Sequence, residues 1–467
     1  MSLSSARAGD GAVTVAAAIA AAITAAVTAA ANGGNPRLAR RPGTVTPVIN
    51  STPELCYSAG ASRSRPINAR TALPNQDRAV NTRKTRNTRI RLVAGEGGIG
   101  SVRQPDGSEG GDFDRPADFY IPDHTVCLVA TGGTIASLRQ PDGSTRAVLS
   151  GYDLLERLPA PTAADVDTRE LEPVNSFAID SAGMIDIAQR IYFPLSNEDT
   201  DGVIVTQGTD TLEEVAFLLE LFLRPEKPFV VTGAQRPADH AEPDGPANLA
   251  DAIEIASSEG ERARACGVVV CCAGEVHSAR EVVKTRTGVS LSVFSSPNSE
   301  PLAVKDDNGQ WKWRSSLSSS VRLPPALHAA AQPVFAGAAP FARNVFLFRA
   351  SLGDDGALLR LAIDGGARAL VIEGFGAGDI TPRMAAAVSL ALEKKIPVVM
   401  ATRCPVGRAR PVYGGDGGGH ALAKAGVIFA PALSGAKLRV LVSVLLGAGV
   451  TDLAGHIASL GETADGQ

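Results

Sequence analysis

The chain has 467 residues, 44% hydrophobic and 20% charged, with a net charge of -4 and a pI near 6.0. That length allows two or three domains, and the balance excludes the overall basic charge that nucleic-acid binding uses. Six cysteines (Cys56, Cys127, Cys266, Cys271, Cys272 and Cys404) form no CxxC pair, and six histidines lack metal-ligand spacing, so buried free thiols are expected rather than a disulfide framework or zinc site.

The charge is uneven along the chain. Residues 1–120 carry fifteen Lys and Arg against nine acids, net +6, which leaves -10 on the remainder. Residues 11–32 are an uncharged run dominated by Ala and Thr. One Arg and one Asp precede it, and alanine is barely apolar on insertion scales, so a cytoplasmic protein is expected. Were residues 11–32 to act as a signal segment, the destination would be periplasmic or secreted. Residues 33–115 are rich in Arg, Pro, Asn, Thr and Gly without apolar periodicity, which predicts a disordered, low-complexity extension over 1–120.

Order is expected from about Ile121. Thr125-Val-Cys-Leu-Val-Ala130 is a short continuous apolar run of the kind that buried parallel strands show. Similar runs recur at 201–206, 228–232, 267–272, 369–373 and 397–401, with helical runs between them at 153–158, 184–192, 212–223, 247–257, 382–393 and 435–446. Strand alternating with helix argues for an α/β fold with a doubly wound, mostly parallel sheet. Residues 306–342, with Ser and Ala runs and Pro324-Pro325, break the rhythm and read as a linker. Two domains follow: a larger one over 121–305 and a smaller α/β one over 343–460.

Three segments carry the chemistry: Thr131-Gly-Gly-Thr-Ile-Ala-Ser137, Thr206-Gln-Gly-Thr-Asp-Thr211 and Val283-Lys-Thr-Arg-Thr287. The first two follow apolar strands and turn through glycine towards a helix. Together they offer Thr134, Thr209, Asp210 and Lys284. A threonine hydroxyl is a weak nucleophile that needs a neighbour to take its proton, and a lysine tuned by burial and a carboxylate can serve. Taken singly, each segment has a plainer meaning: a tight turn, a solvated lysine, or a helix N-cap at Thr209-Asp210 with a capping box to Glu213 or Glu214. Their joint occurrence, with Val231-Thr-Gly-Ala-Gln-Arg-Pro237 and Asp244-Gly-Pro-Ala-Asn-Leu249 between, favours the chemical meaning. The Gly-rich turns at 132–133 and 374–378 match neither GxGxxG nor a P-loop, so no nucleotide site is expected.

In this order the segments resemble the bacterial-type L-asparaginases, over nearly all of 124–450. The resemblance implies hydrolysis of L-asparagine to L-aspartate and ammonia, with some glutaminase activity, and without metal or other cofactor. It implies that Thr134 attacks the side-chain amide and is left as an acyl-enzyme. Thr209 would bridge the proton path, Lys284 would be the base, and Asp210 would hold the array and pair with the substrate's α-ammonium. Ser181, in Asp180-Ser-Ala-Gly-Met184, matches the position that binds the α-carboxylate, and Ala234 matches a carbonyl that receives the departing amide nitrogen. A homodimer or homotetramer is implied, its pocket completed across the subunit boundary by Asp379 and the loop around Asp416.

Departures from the family pattern are clear. No tyrosine lies between Thr134 and Gly151, where the family usually has a loop tyrosine, leaving Tyr152 or an arginine as substitutes. Gln207 stands for the usual histidine, Ala182 for a glutamine, and Asp379 for an asparagine. Two rival readings are the amidase subunit of a tRNA-dependent amidotransferase and a catalytically inactive amino-acid-binding module. The first would bring a folded β domain, yet residues 1–120 show no strand alternation; the second is opposed by the intact Thr134, Thr209, Asp210 and Lys284.

Overall fold

The computed structural model describes residues 125–461 apart from 163, 258–260, 289 and 316–320. The disordered extension expected over 1–120, the signal-like run 11–32 and Cys56 lie outside the described residues.

In chain order the first region holds β1 (Thr125–Ala130), a hairpin of β2 (Ser137–Arg139) and β3 (Thr145–Ala147), β4 (Asp165–Glu170), β5 (Gly202–Thr206), β6 (Phe229–Thr232) and β7 (Val268–Cys272). It continues with β8 (Glu275–Ser278), the short pair β9 (Val283–Lys284) and β10 (Phe294–Ser295), β11 (Ala303–Lys305) and β12 (Trp311–Trp313). Eight of these form one sheet in the order β12-β11-β8-β7-β6-β5-β1-β4. From β4 to β7 all neighbours are parallel, and β8, β11 and β12 close the far side antiparallel. The central strands are apolar throughout because helices cover both faces, so no residue of β5, β6 or β7 is exposed. β4 is an edge strand with a polar, half-exposed sequence, which is why no apolar run marks it.

The strand order positions the site. From β1 the chain steps to β4 on one side, then returns to β5 on the other. The loops leaving β1 and β5 therefore open side by side at the carboxyl ends of their strands. Such a reversal of strand order is where open α/β sheets bind ligands.

Helix Leu212–Leu223 follows β5 and is buried without a break from Val215 to Phe222, a mostly apolar helix with partners on every side whose one buried charge in that run, Glu220, pairs with Arg322 at 3.0 Å. It packs against helices Pro325–Phe335 and Gly435–Gly447, with the Phe222 and Phe335 rings 5.5 Å apart. The stretch 306–342, expected as a linker, is thus more ordered than its composition suggested. β12 extends the large sheet, and Pro324-Pro325, read as a breaker, instead opens a helix whose first turn accommodates proline. The expected capping box is absent. Thr211 is the N-cap, with no side-chain cap bond, and its hydroxyl donates to Ser176 O at 3.1 Å.

The second region has four parallel strands, β13 (Val345–Arg349), β14 (Ala369–Gly374), β15 (Val398–Thr402) and β16 (Ile428–Phe429), in that spatial order. Its helix Gly435–Gly447 packs on its own strands β13 and β14 and also on helices Leu212–Leu223 and Pro325–Phe335. Leu438, Leu441 and Leu445 join one hydrophobic cluster with Phe217, Phe222 and Val231 of the first region. The two sheets therefore share a core. Cys127, Cys266, Cys271 and Cys272 are buried free thiols, and burial raises Cys127 to about 11 and Cys266 to about 12. Among the described residues no helix is long and apolar enough to cross a membrane.

Candidate active site

The loop after β1 is built from glycine for a stated reason. Gly132 and Gly133 adopt φ of 98° and 79°, a region L side chains rarely enter. A Cβ on Gly133 would lie 2.5 Å from Gly208 N, so the first motif touches the second at that point. Thr134 opens the 3-10 turn Thr134–Ala136 and Ser137 Oγ donates back to Gly133 O at 2.8 Å, which closes the turn. Thr134 is half-buried, and among the described residues no side chain hydrogen-bonds its hydroxyl.

Behind the turn, Thr131 Oγ1 lies 2.6 Å from Thr206 O and 2.8 Å from Gln207 Oε1, tying the two strand ends together. Gln207 thus supports the loops from below. Gln207 is buried; its Oε1 accepts the Thr131 hydroxyl, while its Nε2 has no hydrogen-bond partner among the described residues.

The second motif and the lysine meet across a gap of 74 residues in sequence. Lys284 Nζ donates to Thr209 Oγ1 at 2.9 Å and to Asp210 Oδ1 at 2.7 Å. Thr209 is buried, and its hydroxyl in turn reaches Gln235 Oε1 at 3.5 Å. The Lys284 side chain is 16% exposed and that of Asp210 59%, so the carboxylate faces the opening while the ammonium sits deeper. Lys284 is held through its backbone as well. Its N–H donates to Glu213 Oε2 at 2.6 Å, and burial pushes the Glu213 carboxyl up from its usual range.

The remaining sequence-predicted residues surround this set. Ser181 begins helix Ser181–Ser196, whose N-cap Asp180 accepts from Gly183 N at 2.9 Å. Its approach segment is laced to the loops, since Val174 N donates to Thr131 O at 3.1 Å. Ala234 is buried in the loop after β6. Gln235 N and Arg236 N both donate to Asp244, at 2.9 and 2.8 Å, and Asn248 Nδ2 donates to Gly233 O at 2.9 Å. Asp244 and Asn248 therefore shape the Ala234 loop, a role that the sequence reading did not assign although it noticed their segment.

Tyr152 and Asp379 have other surroundings within the chain. Tyr152 is 63% exposed on helix Gly151–Leu155, and among the described residues no hydrogen bond joins it to Thr134. The loop without a tyrosine is instead the β2–β3 hairpin, docked by Arg139 N on Asp239 Oδ2 at 2.9 Å. Asp379 uses its carboxylate at home: Oδ1 accepts from Gly419 N at 2.9 Å, at the start of helix Gly419–Ala425. Among the described residues no group of three or more His, Cys, Asp or Glu could hold a metal ion.

Known proteins resemble this chain. The family described as Asparaginase, N-terminal, matches residues 125–318, and the Glutaminase/Asparaginase C-terminal domain matches 344–454. An L-asparaginase of Bacillus licheniformis is 30% identical over 298 residues, 64% of this chain and 87% of that protein. A probable L-asparaginase of Deinococcus radiodurans is 35% identical over 253 residues, 54% of this chain and 72% of that one. The crystal structure of a probable cytoplasmic L-asparaginase from Campylobacter jejuni superposes with a TM-score of 0.59 at 26% identity, covering 73% of this chain and 98% of that one.

Proposed function

This chain belongs to the asparaginase family and hydrolyses L-asparagine to L-aspartate and ammonia; we propose that Thr134 is its nucleophile and that Thr209, Asp210 and Lys284 move the protons. One observation carries the assignment: Lys284 Nζ lies 2.9 Å from Thr209 Oγ1 and 2.7 Å from Asp210 Oδ1 in a loop that touches the Thr134 turn. In the first half-reaction the Thr134 oxygen bonds to the amide carbon, its proton passes towards the leaving nitrogen, and ammonia departs. In the second, water attacks the resulting ester and its proton returns to Thr134. Lys284 is the base that accepts through Thr209, whose hydroxyl lies 2.9 Å from Lys284 Nζ.

Substrate placement follows from exposure and charge. Asp210, open at the cleft mouth, meets the α-ammonium in a charge-assisted contact. The substrate then competes with Lys284 for that carboxylate. Ser181 lies in the first turn of its helix, where backbone N–H groups favour an anion such as the α-carboxylate. The Ala234 carbonyl receives the departing nitrogen. Glutamine, longer by one methylene, is a secondary substrate. The catalytic region spans about 121–305 and the smaller one 343–460. We place the enzyme in the cytoplasm as a homodimer or homotetramer, with exposed Val406, Val412 and Tyr413 near Asp416 available for self-association. Light scattering that finds a fully active monomer would remove the assembly. Ammonia release from asparagine and glutamine by the full chain tests the activity, and no release from either overturns it.

A further inference from the structure

A second lysine lies beneath the first. Lys437, near the start of helix Gly435–Gly447, is 0% exposed. Its Nζ donates to the carbonyl oxygen of Arg280 at 3.0 Å and to that of Val282. Those two residues lead directly into β9 (Val283–Lys284). On the same side, Glu213 accepts the Lys284 N–H at 2.6 Å. The Glu213 carboxyl is raised by burial and drawn back down chiefly by Lys437, so the two are electrostatic partners. Glu281 stands in the same relation: burial raises it, while Arg280 and Lys437 oppose the rise.

A buried ammonium is a costly way to fill space that a methionine would fill, and it persists where its charge and its donors are used. Here the donors grip the turn before Lys284, and the charge answers the carboxylate that holds Lys284's own backbone. We infer that Lys437, which reaches in from the second region, is a positioning residue that sets the height and direction of Lys284 against Thr209 and Asp210. This rests on the reading of Lys284 as the base. Lys437 touches no reacting atom.

The test compares wild type, Lys437→Met, Glu213→Gln and the double variant by steady-state kinetics with asparagine, with Lys284→Met alongside. Lys437→Met is expected to lower kcat by about 10- to 100-fold with KM within about 3-fold, since a displaced base affects turnover more than binding. Glu213→Gln keeps an oxygen for the Lys284 N–H but loses the charge, and should lower kcat by about 3- to 10-fold. The double variant should be no slower than Lys437→Met, because each residue answers the other. Wild-type kcat in Lys437→Met overturns the inference, as do losses that multiply in the double variant. If Lys437→Met is not soluble, Glu213→Gln decides alone, and wild-type kcat there overturns it too. An active Lys284→Met would bring down the assignment of the base itself. An inactive Lys284→Met beside a fully active Lys437→Met would bring down only the role given to Lys437.

Discussion

Lys284 and Lys437 carry the same ammonium and both sit among carboxylates, yet one faces the cleft and the other the core. Lys284 pairs with Asp210, whose side chain is 59% exposed, and such open pairs contribute only about 0–1 kcal/mol to stability. Little is lost when that pair opens, so Lys284 and Asp210 can exchange partners with substrate and hydroxyl. Lys437 has no exposed surface, donates to two backbone carbonyls, and cannot exchange anything without unfolding its surroundings. Burial holds it at about 8, with Glu213 first among the groups that counter the fall. A lysine suited to moving protons and a lysine suited to holding a backbone thus differ in surroundings alone.

The largest effects should come from the open side of this comparison. Thr134→Ala and Thr209→Val are each expected to lower kcat by about a thousandfold or more, with thermal midpoints shifted by no more than about 2 °C. Retention of over about a tenth of the wild-type rate by both would move the nucleophile elsewhere. Lys284→Met should be as damaging. Retention of over about a tenth of the wild-type rate by Lys284→Met would take lysine out of the mechanism.

Gly133→Ala probes the join between the motifs. With φ at 79° and a Cβ only 2.5 Å from Gly208 N, the substitution must push the two loops apart. An activity loss of about 10- to 100-fold and a stability loss of about 1–3 kcal/mol are expected, measured by kinetics and denaturant titration. Wild-type values for both would mean that the loops keep register some other way.

On the buried side, the expected signal is in stability against pH. The folded pKa of Lys437, about 8, is below the unfolded 10.5, so between those values the unfolded chain holds a proton the folded chain has released. The contribution of this group to stability therefore rises with pH from about 8 to 10.5, and Lys437→Met should lack that rise. Equal slopes in the two proteins would show that Lys437 keeps its proton throughout. The smallest effects belong to Asp379. Asp379→Asn keeps an acceptor for Gly419 N and should change KM by less than about 2-fold, or improve it, while Asp379→Ala should cost about 1 kcal/mol and weaken binding. Identical stabilities for the two variants would show that the contact to Gly419 contributes nothing.

Much of the fold was legible because the parallel strands are buried on both faces. β1, β5, β6, β7, β14 and β15 each appear as unbroken apolar runs, and helices Leu212–Leu223 and Pro382–Glu393 were readable to the residue. β4 was not, because an edge strand with one wet face reads as polar loop. Helix Pro325–Phe335 hid behind two prolines that open it. The glycine turns and the residues offered by them were visible in sequence, since tight strand-to-helix turns demand glycine locally. The supports beneath were not. Asp244, Asn248, Glu213 and Lys437 look like ordinary surface or helical residues.

By itself, then, the sequence determined the alternation of strand and helix, the two glycine turns, and the presence of Thr134, Thr209, Asp210 and Lys284, since each of these follows from local sterics and periodicity. Only the tertiary structure decided which polar groups meet. Lys284 reaches Asp210 across 74 residues and Lys437 reaches Arg280 across 157, and contacts that distant leave no periodic trace in the chain. They arise because the strand order reverses between β1 and β5 and because helix Gly435–Gly447 bridges its own sheet and the core of the first region.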